Sequence, residues 1–336
     1  MKLGLLDADY LAVCDADEER ARAFASAARV ERFTTDPSEI IRSPEINVVY
    51  ITVPTAAHKR LVIEAAGAGK HIFCEKPLAT NLADVEEMVE AVDAAGVKAG
   101  VGLILRHSPI LTVLKSLTED PTLGRLMVIV FRDDQFFPIQ GHYMSDWRKD
   151  RSVAGSGTLL EHSIHDADVL HWFGGRVERV RGSLSNFAGY EGVEDLATVH
   201  LEFESGAFAE LVSVWHGVLG RPSTRRLELF YEKGVFFIDH DFLGAIQVQT
   251  HARNAELIKE EEVRSRYLAQ LGLNNEAFDQ ALRYSLEDYF FLRSVIDNSE
   301  PFPDFHVALQ AHRLIDAVYR SAAGKNGEPV SMRGDM

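Results

Sequence analysis

The feature that most constrains the fold is a regular alternation of short apolar runs and helix-like runs between residues 10 and 102. The apolar runs include Tyr10–Cys14 and Asn47–Val53, and the β-branched residues of the second are typical of a strand buried on both faces. Helix-like runs such as Asp17–Ala28 and Leu82–Ala95 lie between such strands. Strands that alternate with helices in this way predict βαβ units and a parallel, doubly wound sheet.

The clearest chemistry in this region lies in the stretch GKHIFCEKP at residues 69–77. Ile72–Cys74 is predicted to be a buried strand, and Glu75 and Lys76 follow at its carboxyl end, where open parallel sheets bind ligands. Pro77 fixes its own φ and favours an extended backbone at the preceding lysine. A lysine held in this way can donate a proton or a hydrogen bond to a substrate oxygen. A surface ion pair beside a turn is the alternative, and position alone does not decide between the two.

Asp15 follows the first predicted strand and is a candidate dinucleotide ligand. A carboxylate at this point of a dinucleotide fold can bind a ribose 2′-hydroxyl and repels a 2′-phosphate, which favours NAD over NADP. The same carboxylate could instead cap the helix that begins near Asp17. Both interpretations stay open for this residue taken alone.

One part of a dinucleotide fold is not found in the sequence. Such a fold begins with a strand, a Gly-x-Gly-x-x-Gly turn and a helix whose N-terminus faces the pyrophosphate. No Gly-x-Gly-x-x-Gly occurs in the chain, and residues 1–9 resemble only the last turn of that first helix. We expect the missing first strand, turn and helix to amount to roughly 20–30 residues, so that the natural chain begins further upstream.

After Leu103 the pattern changes to strands joined by short turns, such as Ser205-Gly206 and Lys233-Gly234. Strands are predicted at Arg125–Phe131, Val177–Phe187, Leu196–Phe203, Ala207–Val214, Arg226–Tyr231 and Val235–Asp239. Successive strands with short turns indicate an antiparallel sheet. Helices are expected near Glu276–Asp297 and Phe305–Ala322. This part is therefore predicted to be an α+β unit with an open, mainly antiparallel sheet.

The length of the chain indicates two domains, because 336 residues are many for a single hydrophobic core. We expect an α/β, Rossmann-like dinucleotide-binding domain at residues 1–105, on which a final helix at about 303–324 packs back. Residues 106–302 are expected to form a domain for substrate binding and oligomerisation.

Charge and composition exclude several classes of partner. A formal net charge of −16 leaves no basic face for nucleic acid. We find no signal peptide and no apolar run long enough to span a bilayer, so no membrane partner is expected. Cys14 and Cys74 both lie in apolar strand-like runs, which favours reduced core thiols and a cytoplasmic location.

A second group of chemically capable residues follows the glycines of Gly155-Ser156-Gly157. The pattern predicts one helix from about Thr158 to Trp172, and this helix carries Glu161, His162, His165, Asp166 and Asp168. Glu161 and His165 are four residues apart, so they share a helix face and can form a carboxylate–imidazole pair for general base catalysis. The alternatives are a zinc site and a polar helix face with no functional role.

Taken together, these motifs resemble the Gfo/Idh/MocA family of sugar and inositol dehydrogenases. The features that carry the resemblance, in chain order, are Asp15, Glu75-Lys76-Pro77, Arg106 and Glu161-x-x-x-His165. The resemblance extends from about Tyr10 to about Ala323. Its most specific elements are the stretch at residues 69–77 and the pattern G-x-G-x-L-x-E-x-x-x-H-x-x-D at residues 155–168.

The resemblance implies roles for individual residues. Lys76 matches a lysine that binds substrate and nicotinamide and assists proton transfer, and His165 matches the catalytic base. Glu161 stands where many members carry aspartate, which implies a partner of that base. The cofactor contacts implied are Asp15, Thr52, Pro54, His58, Glu75, Lys76 and Arg106. The substrate contacts implied are Lys76, Trp147, Arg148, His162 and His165.

The implied reaction is reversible hydride transfer between NAD, rather than NADP, and a secondary alcohol of a sugar, inositol or related cyclic polyol. No metal is implied. The resemblance also implies a homodimer or homotetramer joined through the open face of the second sheet. Two other functions stay open: a non-redox sugar-binding module that has lost cofactor binding, and a metal-dependent hydrolase built on the Glu161–His165 helix.

Overall fold

The computed structural model describes residues 10–272, 286–324 and 328–332. The helix turn predicted within residues 1–9 lies outside these ranges. The first part of the chain contains the parallel strands β1 Ala12–Cys14, β2 Arg32–Thr34, β3 Val48–Ile51, β4 His71–Cys74 and β5 Ala99–Val101. The helices between them are α1 Glu18–Ala28, α2 Pro37–Arg42, α3 His58–Gly67 and α4 Leu82–Ala95. The predicted alternation of strands and helices is confirmed.

Short polar side chains determine where these helices begin. The carboxylate of Asp17 accepts from two backbone N–H groups at the start of α1, and Asn81 caps α4 in the same manner. Gly96 then ends α4 in the left-handed region, with a φ of 64°. The alternative in which Asp15 is the cap of α1 is therefore wrong, since Asp17 holds that position.

The parallel strands form two separate sheets among the described residues. One sheet is β1–β2 and the other is β3–β4–β5, so β1 and β3 are not hydrogen-bonded to each other. A cleft of about 510 Å³ lies between them, lined by residues of the Tyr10–Cys14 segment on one side and by Asn47–Val53 on the other. The absence of a first strand and glycine turn stays a prediction from the sequence.

The second part of the chain is organised around a nine-stranded sheet in the order β13-β12-β11-β10-β6-β9-β8-β7-β14. Its strands are β6 Leu126–Phe136, β7 Val177–Ser185, β8 Leu196–Phe203, β9 Phe208–His216, β10 Thr224–Tyr231, β11 Gly234–Ile238, β12 Ile246–Thr250, β13 Arg253–Ile258 and β14 Val330–Ser331. All neighbouring strands pair antiparallel except β6 and β9, which are parallel. The expected open, mainly antiparallel sheet is confirmed.

Seven further helices accompany this sheet in the described ranges. They are α5 Pro109–Leu117, α6 Arg151–Ala154, α7 Thr158–Glu161, α8 Ile164–Gly174, α9 Glu260–Leu271, α10 Glu287–Asp297 and α11 Phe305–Ala323. The sequence patterns do not predict α9, β12 or β13, because their apolar residues are sparse. Part of the helix predicted near Glu276–Asp297 lies outside the described residues, and α10 accounts for the rest.

The last helix links the two parts of the chain. α11 packs on α4 of the first part and on β7 and α8 of the second. Nε2 of His312 on this helix accepts a hydrogen bond of 3.1 Å from the backbone N–H of Leu78, which follows the β4 turn. The domain boundaries at residues 105 and 302 stay a prediction. Within the ranges described here, we find no helix whose length and apolar character suit a bilayer crossing.

Among the described residues, the large sheet has one covered face and one open face. Along β6, Ile129 and Phe131 point to the covered face and are almost fully buried. The alternate residues point outward, so that apolar side chains such as Val130, Phe208 and Val235 remain 38%, 45% and 36% exposed. An apolar sheet face without a covering layer is typical of an interface.

Candidate active site

The first component of the site is the corner after β4. The N–H of Glu75 donates to Ile51 O on β3 at 2.9 Å, and the N–H of Gly102 donates to Cys74 O at 3.0 Å. The Glu75 carboxylate lies against Gly102, where a Cβ atom would be 2.8 Å from Oε2. The Lys76–Pro77 peptide is cis. The ends of β3, β4 and β5 therefore hold Glu75 and Lys76 at one edge of the sheet, as predicted.

Lys76 crosses from this corner to the second part of the chain. Its Nζ donates a hydrogen bond of 2.6 Å to the backbone oxygen of Glu161. Burial lowers the pKa of Lys76, and the positive charges of Arg148 and Arg225 lower it further, whereas Glu161 and Glu75 raise it. The ammonium is thus held by one backbone oxygen, and the shift in its pKa makes loss of a proton easier than in water.

The predicted single helix from Thr158 to Trp172 is wrong. α7 ends at Glu161 and α8 begins at Ile164, with His162 at φ −116° between them. At the break the backbone N–H of Ser163 bonds to Thr158 O, five residues back, at 2.9 Å. The Ser163 hydroxyl bonds to Ser213 at 2.7 Å and to Asp133 at 3.3 Å, both on the sheet. A break in the helix also changes the direction of every side chain that follows it.

The break separates Glu161 from His165. The Glu161 carboxylate, only 2% exposed, accepts from Thr55 Oγ1 at 2.9 Å and from Arg148 Nε at 3.0 Å. Nδ1 of His165 is buried and has no hydrogen-bond partner among the described residues. The expected carboxylate–imidazole pair between these two residues is therefore wrong, since the continuous helix on which it depends is absent.

His165 is a neutral imidazole in this setting. Burial is the main cause that lowers its pKa well below the usual range, and the nearby positive charges of Lys76 and Arg225 act in the same direction. A neutral imidazole can accept a proton, which is the requirement for a base. Among the residues that the structure describes, no carboxylate forms a hydrogen bond to this ring that would offset its low pKa.

The glycines before α7 permit a close approach of backbones. The N–H of Gly157 donates to the Glu194 carboxylate at 2.8 Å, and the N–H of Leu159 donates to it at 3.0 Å. A Cβ atom at residue 157 would overlap the backbone oxygen of Glu194, so only glycine fits. Glu194 therefore fixes the start of α7, a role that sequence reasoning misses because the two segments are distant in the chain.

Three predicted substrate contacts, Trp147, Arg148 and His162, lie beside this arrangement. The Arg148 guanidinium stacks on the ring of Trp147, with Cζ 4.4 Å from the ring centroid, while its Nε bonds to Glu161. Nε2 of His162 lies 3.0 Å from a carboxylate oxygen of Asp133. The structure thus brings Lys76 and His165 together with Arg148 and His162.

Two buried charged residues beside the histidines are missed by the sequence analysis, Asp133 on β6 and Arg225 on β10. Both contact the buried Asp166 on α8, which the sequence analysis names without giving it a partner. A signal existed for the first, because Asp133 is in phase with the buried Ile129 and Phe131 along an alternating strand. A carboxylate at a core-facing position of a strand needs a partner.

On the cofactor side, Asp15 follows β1 with 38% of its side chain exposed. Its Oδ1 accepts from the N–H of Asp17 at 2.9 Å and lies 3.5 Å from Nη2 of Arg20. Thr52 and Pro54 follow β3 and are exposed. These positions lie at the carboxyl ends of parallel strands, as the sequence predicts.

Two other residues that are predicted to contact the cofactor form hydrogen bonds to groups of the protein itself. Both ring nitrogens of the buried His58 face backbone oxygens, those of Pro77 at 3.0 Å and Val53 at 2.8 Å. Arg106 donates from Nε and Nη2 to the two oxygens of Asp168, each at 2.7 Å. Both side chains therefore stabilise the framework of the site, and the expectation that they contact the cofactor receives no support from their geometry.

Comparison with known proteins identifies the family. Residues 5–103 match a family model described as an oxidoreductase family with an NAD-binding Rossmann fold, and residues 111–237 match the GFO/IDH/MocA C-terminal domain. A curated relative, the myo-inositol 2-dehydrogenase of Thermotoga maritima, is 34% identical over 241 residues, which are 70% of this chain and 69% of that protein. This chain belongs to the Gfo/Idh/MocA oxidoreductase family.

Other members of the Gfo/Idh/MocA family align over more of the chain. An uncharacterized oxidoreductase of Bacillus subtilis, YrbE, is 29% identical over 328 residues, which are 96% of this chain and 88% of that protein. A solved structure of a levoglucosan dehydrogenase in complex with NADH and levoglucosan has a TM-score of 0.80 at 23% identity, and covers 95% of this chain and 89% of that one. The latter likeness supports the two-part fold.

The chain is thus an NAD-binding oxidoreductase of the Gfo/Idh/MocA family, and the described residues fit part of an NAD site. The partly exposed Asp15 carboxylate suits ribose hydroxyl groups, and the ends of β3 and β4 supply polar groups along the same edge. We find no backbone turn for the pyrophosphate in residues 10–272, 286–324 or 328–332. Those ranges also contain no cluster of three His, Cys, Asp or Glu side chains that suits a metal ion.

Proposed function

We propose that this protein catalyses reversible hydride transfer between NAD and a secondary alcohol of a sugar, inositol or related cyclic polyol. The observation that carries the proposal is the meeting of Lys76, at the carboxyl end of β4, with the broken helix that carries His165. This meeting sets an ammonium and a neutral imidazole beside each other at the edge where a dinucleotide fold binds its ligand.

The protein side of the reaction is proton transfer and orientation. His165 accepts the proton of the reacting hydroxyl group on its imidazole, which is neutral at pH 7 because burial and nearby cations lower its pKa. Lys76 donates a hydrogen bond to the same substrate oxygen while Glu161 O holds its Nζ at 2.6 Å. Arg148, fixed by Glu161 and Trp147, and His162 bind further hydroxyl groups of the substrate.

The cofactor would be held by residues at the strand ends. Asp15 would bind the adenosine ribose, and Thr52, Pro54 and Glu75 would line the part of the cofactor site that extends from Asp15 to Lys76. When bound, NAD supplies the two-electron acceptor for the hydride. His58 and Arg106 act indirectly, because their hydrogen bonds position the Val53 and Pro77 backbone and α8.

The substrate class follows from the chemistry of the pocket and from relatives. Two relatives are named as dehydrogenases of myo-inositol and of levoglucosan. The donors at Lys76, Arg148 and His162 suit a polyhydroxylated ring, because several hydroxyl groups can be bound at once. This assignment names a class of compound and no single sugar.

We also infer that the protein is a homodimer or homotetramer in the cytoplasm. The outward face of the large sheet supports the first inference, since Val130, Phe208 and Val235 are partly exposed there without a covering layer. Only free cysteines occur in the described residues, which agrees with a reducing compartment.

An NADH fluorescence titration, followed by a screen of sugars and inositols with NAD, tests the proposed function. We expect saturable NADH binding and NAD reduction with at least one cyclic polyol. NADPH serves as the comparison for cofactor choice, and EDTA should leave the rate unchanged. Binding of polyol without binding of NADH would favour the non-redox sugar-binding module. Turnover that depends on a metal and not on NAD would favour the hydrolase.

A further inference from the structure

A buried cluster of charged residues lies behind the histidines of the active site. It consists of Asp133, Asp166 and Arg225, with 0%, 0% and 6% exposure, and the partly exposed Asp241. Arg225 donates from Nε to Asp166 Oδ1 at 2.8 Å and from Nη1 to Asp241 at 2.7 Å. Its Nη2 lies 3.2 Å from Asp133 Oδ2. The hydride transfer proposed above assigns no task to this cluster.

The charges of the cluster do not balance. Two buried carboxylates and the partly exposed Asp241 share one guanidinium, so full ionisation would leave the buried pair Asp133 and Asp166 with an uncompensated negative charge, which is strongly unfavourable. Asp166 Oδ2 is buried and receives no hydrogen bond from the described residues, although the carboxyl group of Asp133 lies within hydrogen-bonding reach. Two ionised carboxylates cannot bond to each other, whereas a proton on one of them makes the contact favourable.

The electrostatic surroundings also favour a proton on the Asp133–Asp166 pair. The pKa of Asp166 is raised to about 7, mainly by burial and also by the charge of Asp133, against the opposite effects of Arg225 and His162. Burial also raises the pKa of Asp133, with Asp241 acting in the same direction and Arg225 and Ser163 opposing it. Carboxyl groups coupled in this way titrate as a pair.

His162 connects the pair to the substrate side. Its Nε2 lies 3.0 Å and 3.1 Å from the two oxygens of Asp133, and 3.2 Å from Nη2 of Arg225. An ionised carboxylate only accepts hydrogen bonds and a guanidinium only donates them, so Nε2 can either donate to Asp133 or accept from Arg225. Nη2 of Arg225 can donate to Asp133 Oδ2 and does not need Nε2 as an acceptor. Without a hydrogen, Nε2 would face two carboxylate oxygens with no hydrogen bond to either. The hydrogen therefore belongs on Nε2.

We propose that Asp133 and Asp166 share one proton and together fix the Nε2–H tautomer of His162, whose Nδ1 then accepts a hydrogen bond from a substrate hydroxyl group. Asp133 and Asp166 are positioning residues, because they act through His162. This inference rests on the proposed oxidoreductase function and adds to it a reason for substrate orientation. Loss of the shared proton adds a negative charge beside His162, which favours protonation of Nδ1 and removes the acceptor.

The shared proton is tested by the pH dependence of unfolding, for wild type and Asp166→Asn. From about pH 4.5 to about pH 7 the folded pair retains a proton that unfolded carboxyl groups release, so the wild-type unfolding constant rises about tenfold per pH unit relative to the variant. Above about pH 7 the ratio of the wild-type unfolding constant to that of the variant becomes constant. Asp133→Asn should also abolish the slope, which keeps the test decisive if one variant fails to fold.

Asp134→Asn is the matched control, because the same change is made one residue along β6. Asp134 lies on the open face, and Arg221 and Arg132 outweigh desolvation and lower its pKa. The control should therefore retain the wild-type slope between pH 5 and pH 7. A slope that survives in both Asp166→Asn and Asp133→Asn would overturn the shared proton.

The tautomer is tested by ¹⁵N NMR of the histidine ring, with His162 assigned by a His162→Gln variant. We expect the Nε2–H form in wild type at pH 6, its loss in Asp133→Asn, and a KM for the polyol that rises about tenfold or more in that variant, with a smaller change in kcat. An Nδ1–H form in wild type would overturn the positioning role. These NMR and unfolding readouts need no turnover, so failure of the proposed function is distinguishable from failure of this inference.

Discussion

The ammonium of Lys76 donates a hydrogen bond of 2.6 Å to the backbone oxygen of Glu161, a residue 85 positions further along the chain. The contact joins the turn after β4 to the end of α7, and so connects the dinucleotide-binding part to the broken helix. The Glu161 carboxylate meanwhile binds Arg148 and Thr55. One residue therefore positions both a proton donor and a substrate ligand.

The first prediction concerns proton transfer. Lys76→Ala and His165→Ala should each lower kcat by about 10²–10⁴-fold, the range found for loss of a positioned acid or base. Initial rates of NAD reduction with a saturating polyol measure the effect. Lys59→Ala is the control, since Lys59 pairs with Asp84 and Glu87 on the surface. Wild-type rates in both test variants would contradict the mechanism.

The second prediction separates two roles of Glu161. Glu161→Gln retains an oxygen for Thr55 but turns an amide towards Arg148, so Arg148 is released and KM for the polyol should rise about tenfold or more. The acidic limb of the pH profile of kcat should keep its position, because Glu161 is not bonded to His165, whereas loss of the charge that raises the pKa of Lys76 should move the alkaline limb to lower pH. The variant Glu161→Gln/Arg148→Ala should show little further loss beyond Arg148→Ala alone. An acidic limb that shifts in Glu161→Gln would restore the carboxylate–imidazole pair.

The third prediction concerns cofactor choice. Asp15→Ala should weaken NAD binding more than NADP binding, because the carboxylate binds the ribose hydroxyl groups and repels a 2′-phosphate. Fluorescence titration with NADH and NADPH gives the ratio of the two Kd values. Asp17→Ser is the control, since serine still caps α1 while the charge is removed two residues away. An unchanged ratio in Asp15→Ala would remove Asp15 from the site.

The fourth prediction concerns acid stability. Burial lowers the pKa of His312 to about 3, below its value of about 6.5 in an unfolded chain. The unfolded state thus binds a proton that the folded state excludes, and this contribution to stability, fully present above pH 6.5, is lost as pH falls from 6.5 towards 3. Urea unfolding should show a loss of about 1.4 kcal/mol per pH unit relative to His312→Gln. His306→Gln, at an exposed position on α11, is the control and should lose stability with falling pH as the wild type does. A His312→Gln variant that also loses stability as the wild type does would contradict the prediction.

The fifth prediction concerns assembly through the open sheet face. Val130→Lys places a charge at the centre of this face, so the homo-oligomer should dissociate to a monomer of about 37.5 kDa. Light scattering coupled to size-exclusion chromatography gives the mass. Phe187→Ser is the control, since Phe187 is 80% exposed on the loop after β7 and outside the sheet. An unchanged oligomer mass in Val130→Lys would exclude this face.

The order of elements was predictable because it depends on local chemistry. Alternating apolar runs and capping residues such as Asp17 and Asn81 determine strands and helices within a few positions. The placement of Glu75 and Lys76 at a strand end follows from the same local pattern. The chemistry of the cofactor edge could thus be predicted without tertiary contacts.

Periodicity alone misled the prediction at the catalytic helix. The i to i+4 spacing of Glu161 and His165 is a contact only if the helix continues, and the helix is broken at His162 and Ser163. The Ser163 hydroxyl there bonds to Asp133 and Ser213, which lie 30 and 50 residues away. No local window of the sequence contains these partners, so periodicity could not predict the break.

The sequence by itself determined the parallel α/β part, the open mixed sheet and the identity of Lys76 and His165 as candidate reacting groups. Only the tertiary structure decided their partners: Glu161 faces Thr55 across 106 positions, and Asp166 meets Arg225 across 59. Propensity and capping act within a turn or two of the chain. The charge and hydrogen-bond partners of buried groups depend instead on which distant segments pack together, and those contacts determine pKa and orientation.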